Sequence, residues 1–106
     1  MGNSRPSVDK EGFLTELSDW DKDAAVWLAA SEEINLGAEH WEIIETLRDF
    51  YARTQTAPAM RPFVKIMREA LPDRDITSIY LMQKFGQSPA KTAAKIAGLP
   101  KPANCL

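Results

Sequence analysis

The chain has 106 residues, 44% of them hydrophobic and 26% charged, and its 13 basic and 15 acidic side chains leave a formal net charge of -2. That length holds one domain with its own core and leaves no room for a second. A balance so close to neutral gives no overall field to hold the protein on nucleic acid or an anionic membrane, so any such binding has to be local or shared with a partner.

No apolar run reaches the length of a membrane span, and Met1-Gly-Asn-Ser-Arg-Pro6 lacks the apolar centre of a signal peptide. Pro6 stands where N-myristoylation wants Ser or Thr, and Cys105 is misplaced for prenylation. A lone cysteine closes no internal disulfide, which suits a reducing compartment. The expectation is a cytoplasmic protein without a membrane association.

In chain order, Ser7-Val-Asp-Lys-Glu-Gly-Phe-Leu14 sets charged turn residues and Gly12 between apolar Val8 and Phe13, a pattern that predicts a short antiparallel hairpin. Ser18 and Asp19 offer caps for a first helix with Trp20, Ala24, Trp27 and Leu28 on its apolar stripe, ending near Asn35 and Gly37. A second begins near Ala38, carries Trp41, Ile44, Leu47 and Tyr51, and breaks before Pro58. Pro62 opens a third, with Phe63, Ile66, Met67, Ala70 and Leu71 on one face and Pro72 at its end. Asp75 is placed to cap a fourth in which Ile76, Ile79 and Tyr80 face inward. Ser88 and Pro89 open a fifth, and Gly98 stops it. The predicted fold class is therefore α+β but mainly helical, a small N-terminal antiparallel β meander or hairpin packed on about five helices. A single domain spans 1–106, with residues 98–106 as a flexible C-terminal arm, because Pro100 and Pro102 cannot continue a helix.

Catalytic machinery is sparse. His40, the single histidine, sits beside Trp41 near a helix start and reads as structural. One histidine and one cysteine cannot close a zinc site, the acidic residues are scattered, and no glycine-rich phosphate loop follows a strand, so neither a metal nor a cofactor is assigned. Trp20, Trp27 and Trp41 fall on apolar stripes and read as core. Arg61, Lys65 and Arg68 run along one side of the third helix, and Lys84, Lys91, Lys95 and Lys101 make the last quarter basic.

Cys105 follows the proline arm and precedes only Leu106, so packing explains it poorly. At a pKa of about 8.5 an unaided thiol is a few per cent ionised at neutral pH, and the neighbouring carboxylate raises it further. A docked cation would supply the missing activation, and Arg61, Lys65, Lys91, Lys95 and Lys101 are the candidates for docking the arm or stabilising the thiolate. An arm and a thiol without a base or pocket suit a carrier better than a self-contained enzyme. The rival from a different class is a DNA-binding regulator using one of the helix pairs around Pro72-Asp73 or Gly86-Gln87 as a helix-turn-helix, and the overall acidity weighs against it.

The chain resembles the DsrC/TusE family. The matching stretches are Asp9-Lys-Glu-Gly-Phe-Leu14, Asp19-Trp20, Glu39-His-Trp-Glu42, Leu47-Arg-Asp-Phe-Tyr51, Arg61-Pro62, Tyr80-Leu81 with Phe85, Ser88-Pro-Ala-Lys91, Lys95-Ile-Ala-Gly-Leu-Pro-Lys-Pro102 and Cys105. The resemblance implies strands packed on about five helices and a sulfurtransferase that carries sulfur as a persulfide on Cys105. It also implies a TusBCD-type donor complex, an MnmA-type tRNA thiouridylase as acceptor, and tRNA as an indirect partner in wobble-uridine 2-thiolation. Relatives of the sulfite-reductase type carry a second arm cysteine, and here Ala94 takes its place. Two-thiol chemistry within the chain is thereby excluded, and partnership with a sulfite reductase stays as the alternative within the family.

Overall fold

The computed structural model describes residues 6–103. A short 3-10 turn, Leu17–Asp19, precedes five α-helices: α1 Lys22–Ser31, α2 Ala38–Thr54, α3 Met60–Ala70, α4 Ser78–Phe85 and α5 Pro89–Ile96. Helix α5 is the hub, touching α1, α2, α3 and α4. Its composition makes this possible. Ala90, Ala93 and Ala94 are buried with Ile96, and such small side chains let neighbouring backbones approach closely from several sides. Around it Leu28, Ile43, Leu47, Phe63, Met67 and Phe85 lie fully buried. Trp20, Trp27 and Trp41 pack half-buried against this cluster, in keeping with their reading as core.

Among the described residues the expected β meander or hairpin is absent, and the class is helical rather than α+β. Among the described residues the N-terminal segment has one isolated antiparallel bridge, Val8 to Leu14, and no strand. At the turn, Asp9 Oδ1 accepts the amide hydrogens of Glu11 (2.9 Å) and Phe13 (3.0 Å). A side-chain-closed turn of this kind competes with the ladder. Gly12, at φ +92°, completes the reversal. Phe13 and Leu14 are then buried in the helical core, while Val8 stays exposed.

Two helix starts also differ from expectation. The cap of α1 is Asp21, accepting from the Ala24 N–H at 2.7 Å, and Trp20 is extended outside the helix. Thr77, not Asp75, caps α4 by accepting from Tyr80 N–H at 3.0 Å. Ile79, expected to face inward, points outward at 67% exposure, while Leu81 and Phe85 are buried. The ends of α2 and α3 and the start of α5 at Ser88-Pro89 fall where the sequence places them.

Candidate functional site

Cys105 lies outside the described residues, so the site is built from what precedes it: the root of the arm, residues 98–103. Helix α5 ends in a Schellman motif. Leu99 N–H donates to Ala94 O (2.9 Å) and Gly98 N–H to Lys95 O (3.1 Å), with Gly98 in the left-handed region at φ +76°. A β-carbon on Gly98 would sit 2.6 Å from Trp20 Cγ and 2.8 Å from Trp20 Cβ, so this position needs glycine for its conformation and for the tryptophan above it.

The last carbonyls of α5 have tertiary partners. Trp20 Nε1–H donates to Ile96 O at 2.8 Å, and Arg48 donates from an η-nitrogen to Ala97 O at 2.8 Å. The Arg48 guanidinium lies 3.8 Å from the centre of the Trp20 ring, a cation–π contact. It also meets the negative end of the α5 dipole. Burial pulls the Arg48 pKa below its ordinary value, yet a guanidinium stays charged at any physiological pH. Beyond this clamp Leu99 and Pro102 are buried and Lys101 is exposed, so the first residues of the arm lie on the body.

The candidate cations divide into two groups. Lys91 and Lys101 converge on Glu11, at 4.0 Å and 3.1 Å, which ties the arm to the N-terminal turn. Lys95 is nearly buried, pairs with Glu32 at 2.6 Å, and runs its stem over Gly12. These three already have carboxylate partners. Arg61 and Lys65 are exposed on α3, one helical turn apart, and among the described residues neither has an ion-pair partner. They are the pair left open to an incoming anion.

His40 is fully engaged. Its Nδ1 accepts from Gly37 N–H at 3.0 Å, which leaves the proton on Nε2 to be donated to Lys84 O at 3.0 Å, and its ring meets Phe85 edge-on. With both nitrogens committed to backbone, it joins α2 to α4. Among the described residues no group of His, Cys, Asp or Glu converges as metal ligands, and no helix is long and apolar enough to cross a membrane.

Sequence reasoning assigned Trp20 to a helix stripe and gave Arg48 no part at the arm. Trp20 lies 76 residues before its carbonyl partner and Arg48 lies 49 before its own, separations at which no local pattern speaks. The one available signal was the pairing of Asp19-Trp20 and Leu47-Arg48 among the family-like stretches.

A family profile described as "DsrC like protein" matches residues 1–106. The chain belongs to the DsrC-like family. The sulfurtransferase TusE of Salmonella paratyphi A is 46% identical to it over 100 residues, covering 94% of this chain and 92% of the relative. TusE of Escherichia coli is 46% identical over 99 residues, covering 93% and 91%. Among solved structures, DsrC of Allochromatium vinosum superposes with a TM-score of 0.89 at 39% identity, covering all of this DsrC-like chain (100%) and 95% of the other. The oxidised γ-subunit of the dissimilatory sulfite reductase of Archaeoglobus fulgidus follows at 0.84 and 36%, covering 99% and 96%. The resemblance read from the sequence is borne out.

Proposed function

We propose that this protein is a sulfur carrier whose Cys105 accepts a persulfide sulfur and relays it to an acceptor enzyme. The observation that carries the reading is 46% identity, over nearly the whole chain, to proteins named sulfurtransferase TusE. The chain's single cysteine just beyond a clamped arm root fits that reading.

The chemistry is thiol exchange. The Cys105 thiolate attacks the outer sulfur of a donor persulfide, a new S–S bond forms at Cys105, and the donor's S–S bond breaks with its cysteine leaving as thiolate. An acceptor thiolate then attacks the outer sulfur on Cys105, and Cys105 leaves in turn. No oxidant is consumed. Such exchange needs access and a thiolate rather than a deep pocket, which suits a chain whose one histidine has both ring nitrogens committed to backbone. Arg61 and Lys65 suit the stabilising of a negative sulfur brought to α3, whereas Lys91, Lys95 and Lys101 suit the holding of the arm root.

The donor fits a TusBCD-type complex and the acceptor an MnmA-type tRNA thiouridylase, with wobble-uridine 2-thiolation in the cytoplasm as the destination. In this role the protein is a sulfurtransferase by virtue of carriage. Likeness to a sulfite reductase subunit favours a second reading, as a partner of that enzyme. Ala94 weighs against it, being buried within α5 where the second thiol would be needed.

Intact-mass measurement after incubation with a cysteine-persulfide donor tests the proposal. The expected result is a gain of one sulfur that is lost in Cys105→Ser. An equal gain in that variant would sink it.

A further inference from the structure

The arm root uses one side of α2, through Arg48. Another side of the same helix is unclaimed. Residues 42, 45, 46, 49, 50 and 53 recur at three- and four-residue steps, one helical face, and with Ile66, Glu69 and Leu71 they line an open groove of about 590 Å³ between α2 and α3. Its floor is apolar: Ile66 and Leu71 rest against the core from below. Phe50 is half-buried yet stands outside the core cluster, and the Arg53 guanidinium lies 5.8 Å from its ring centre. Its rim is acidic. Glu42 is taken by Arg74 and Asp49 by Arg53, while Glu45 and Glu69 are exposed and, among the described residues, without an ion-pair partner.

We propose that this groove docks a basic amphipathic segment of a partner protein, with an apolar side chain seated on Phe50, Ile66 and Leu71 and Lys or Arg side chains paired with Glu45 and Glu69. The charge decides the class of partner. Nucleic acid and anionic lipid are repelled by this rim. A free divalent cation is disfavoured because no metal-ligand group converges among the described residues. An aromatic ring beside carboxylates instead matches a guanidinium or ammonium group next to an apolar contact. Since the groove and Arg48 occupy different sides of α2, a partner held there leaves the arm root uncovered. A relay protein gains from holding its partner by one surface while presenting its arm from another.

The test titrates the isotope-labelled full chain with a synthetic helical peptide bearing Arg one turn apart beside Leu and Phe. Amide shifts should concentrate at Glu45, Asp49, Phe50, Ile66 and Glu69 and weaken with added salt. The double variant Glu45→Lys/Glu69→Lys should lose affinity by about tenfold or more, and Glu45→Gln/Glu69→Gln should fall between. A peptide with Glu in place of Arg should not bind. The proposal is overturned by absence of binding, by shifts centred on another face, by equal affinity of the charge-reversed variant, or by self-association of the protein at that face. Because binding is read without sulfur chemistry, its failure leaves the sulfur gain at Cys105 untouched, and failure of that gain leaves the groove untouched.

Discussion

Helix α2 fastens two parts of the molecule by different physics. Towards the arm, Arg48 is partly buried, lies on the Trp20 ring and bonds the Ala97 carbonyl, so its contacts are partly shielded from water. Towards α4, Glu39 gathers the Tyr80 hydroxyl at 2.7 Å, Lys84 at 3.0 Å and Arg74 at 3.5 Å at a more open surface. A partly shielded contact is weakened less by salt than exposed pairs, which are screened and are worth little individually. The difference teaches where order is needed. The end of α5 that launches the arm is held by the stronger kind of contact, and the α2–α4 seam by the weaker kind.

Gly98→Ala should break this contrast most severely. The left-handed backbone costs an L-residue about 1–2 kcal/mol. The new methyl would run into Trp20. Overpacking of that kind adds about 1–3 kcal/mol. A loss of roughly 2–5 kcal/mol, read by urea unfolding, is the expected outcome. A change under half a kcal/mol would mean that Trp20 moves aside freely. Arg48→Met comes next. It keeps the stem but removes the carbonyl bond and the cation–π contact, for a cost of about 1–3 kcal/mol that persists in high salt. Sharp salt dependence of that cost would place Arg48 with the surface pairs. A double-mutant cycle with Trp20→Phe, which removes the indole N–H, should reveal coupling of about 0.5–2 kcal/mol between the two caps.

What the sequence disclosed follows the reach of its signals. Proline and glycine act within a residue or two of themselves, so the α5 start at Pro89 and its stop at Gly98 were legible. Choices between neighbouring polar residues were not. Asp21 rather than Ser18 or Asp19 caps α1, and Thr77 rather than Asp75 caps α4, choices that no local pattern separates. At 7–14 the alternation suggested a hairpin, but the Asp9 carboxylate takes the Phe13 amide, and the pairing amounts to a single bridge, Val8 to Leu14. For the site, the cations were visible as residue types, while their allocation to Glu11 and Glu32 depends on where the N-terminal turn and the end of α1 come to rest. The clamp by Trp20 and Arg48 is wholly tertiary. Cys105 is the opposite case, singled out by composition and position and lying outside the described residues.

The smallest effect belongs to the α2–α4 seam, and pH reads it. The Tyr80 hydroxyl, then Lys84, hold the Glu39 carboxyl down at about 2, against an ordinary value of 4.5. Between those values the unfolded chain binds the proton more readily than the folded one, so the contribution is present above pH 4.5 and fades as pH falls towards 2. Tyr80 has the opposite sign: burial, then the Glu39 hydrogen bond, push it up to about 12 from 10, so its contribution is whole below pH 10 and is lost as pH rises towards 12. Glu39→Gln should therefore flatten the decline in melting temperature between pH 5 and pH 3, lower the Tyr80 pKa, and leave the Arg48–Trp20 clamp unchanged by near-ultraviolet dichroism. An acid profile identical to that of the parent chain would show that other carboxylates set the decline, and that even the charged cluster at this seam contributes too little to register.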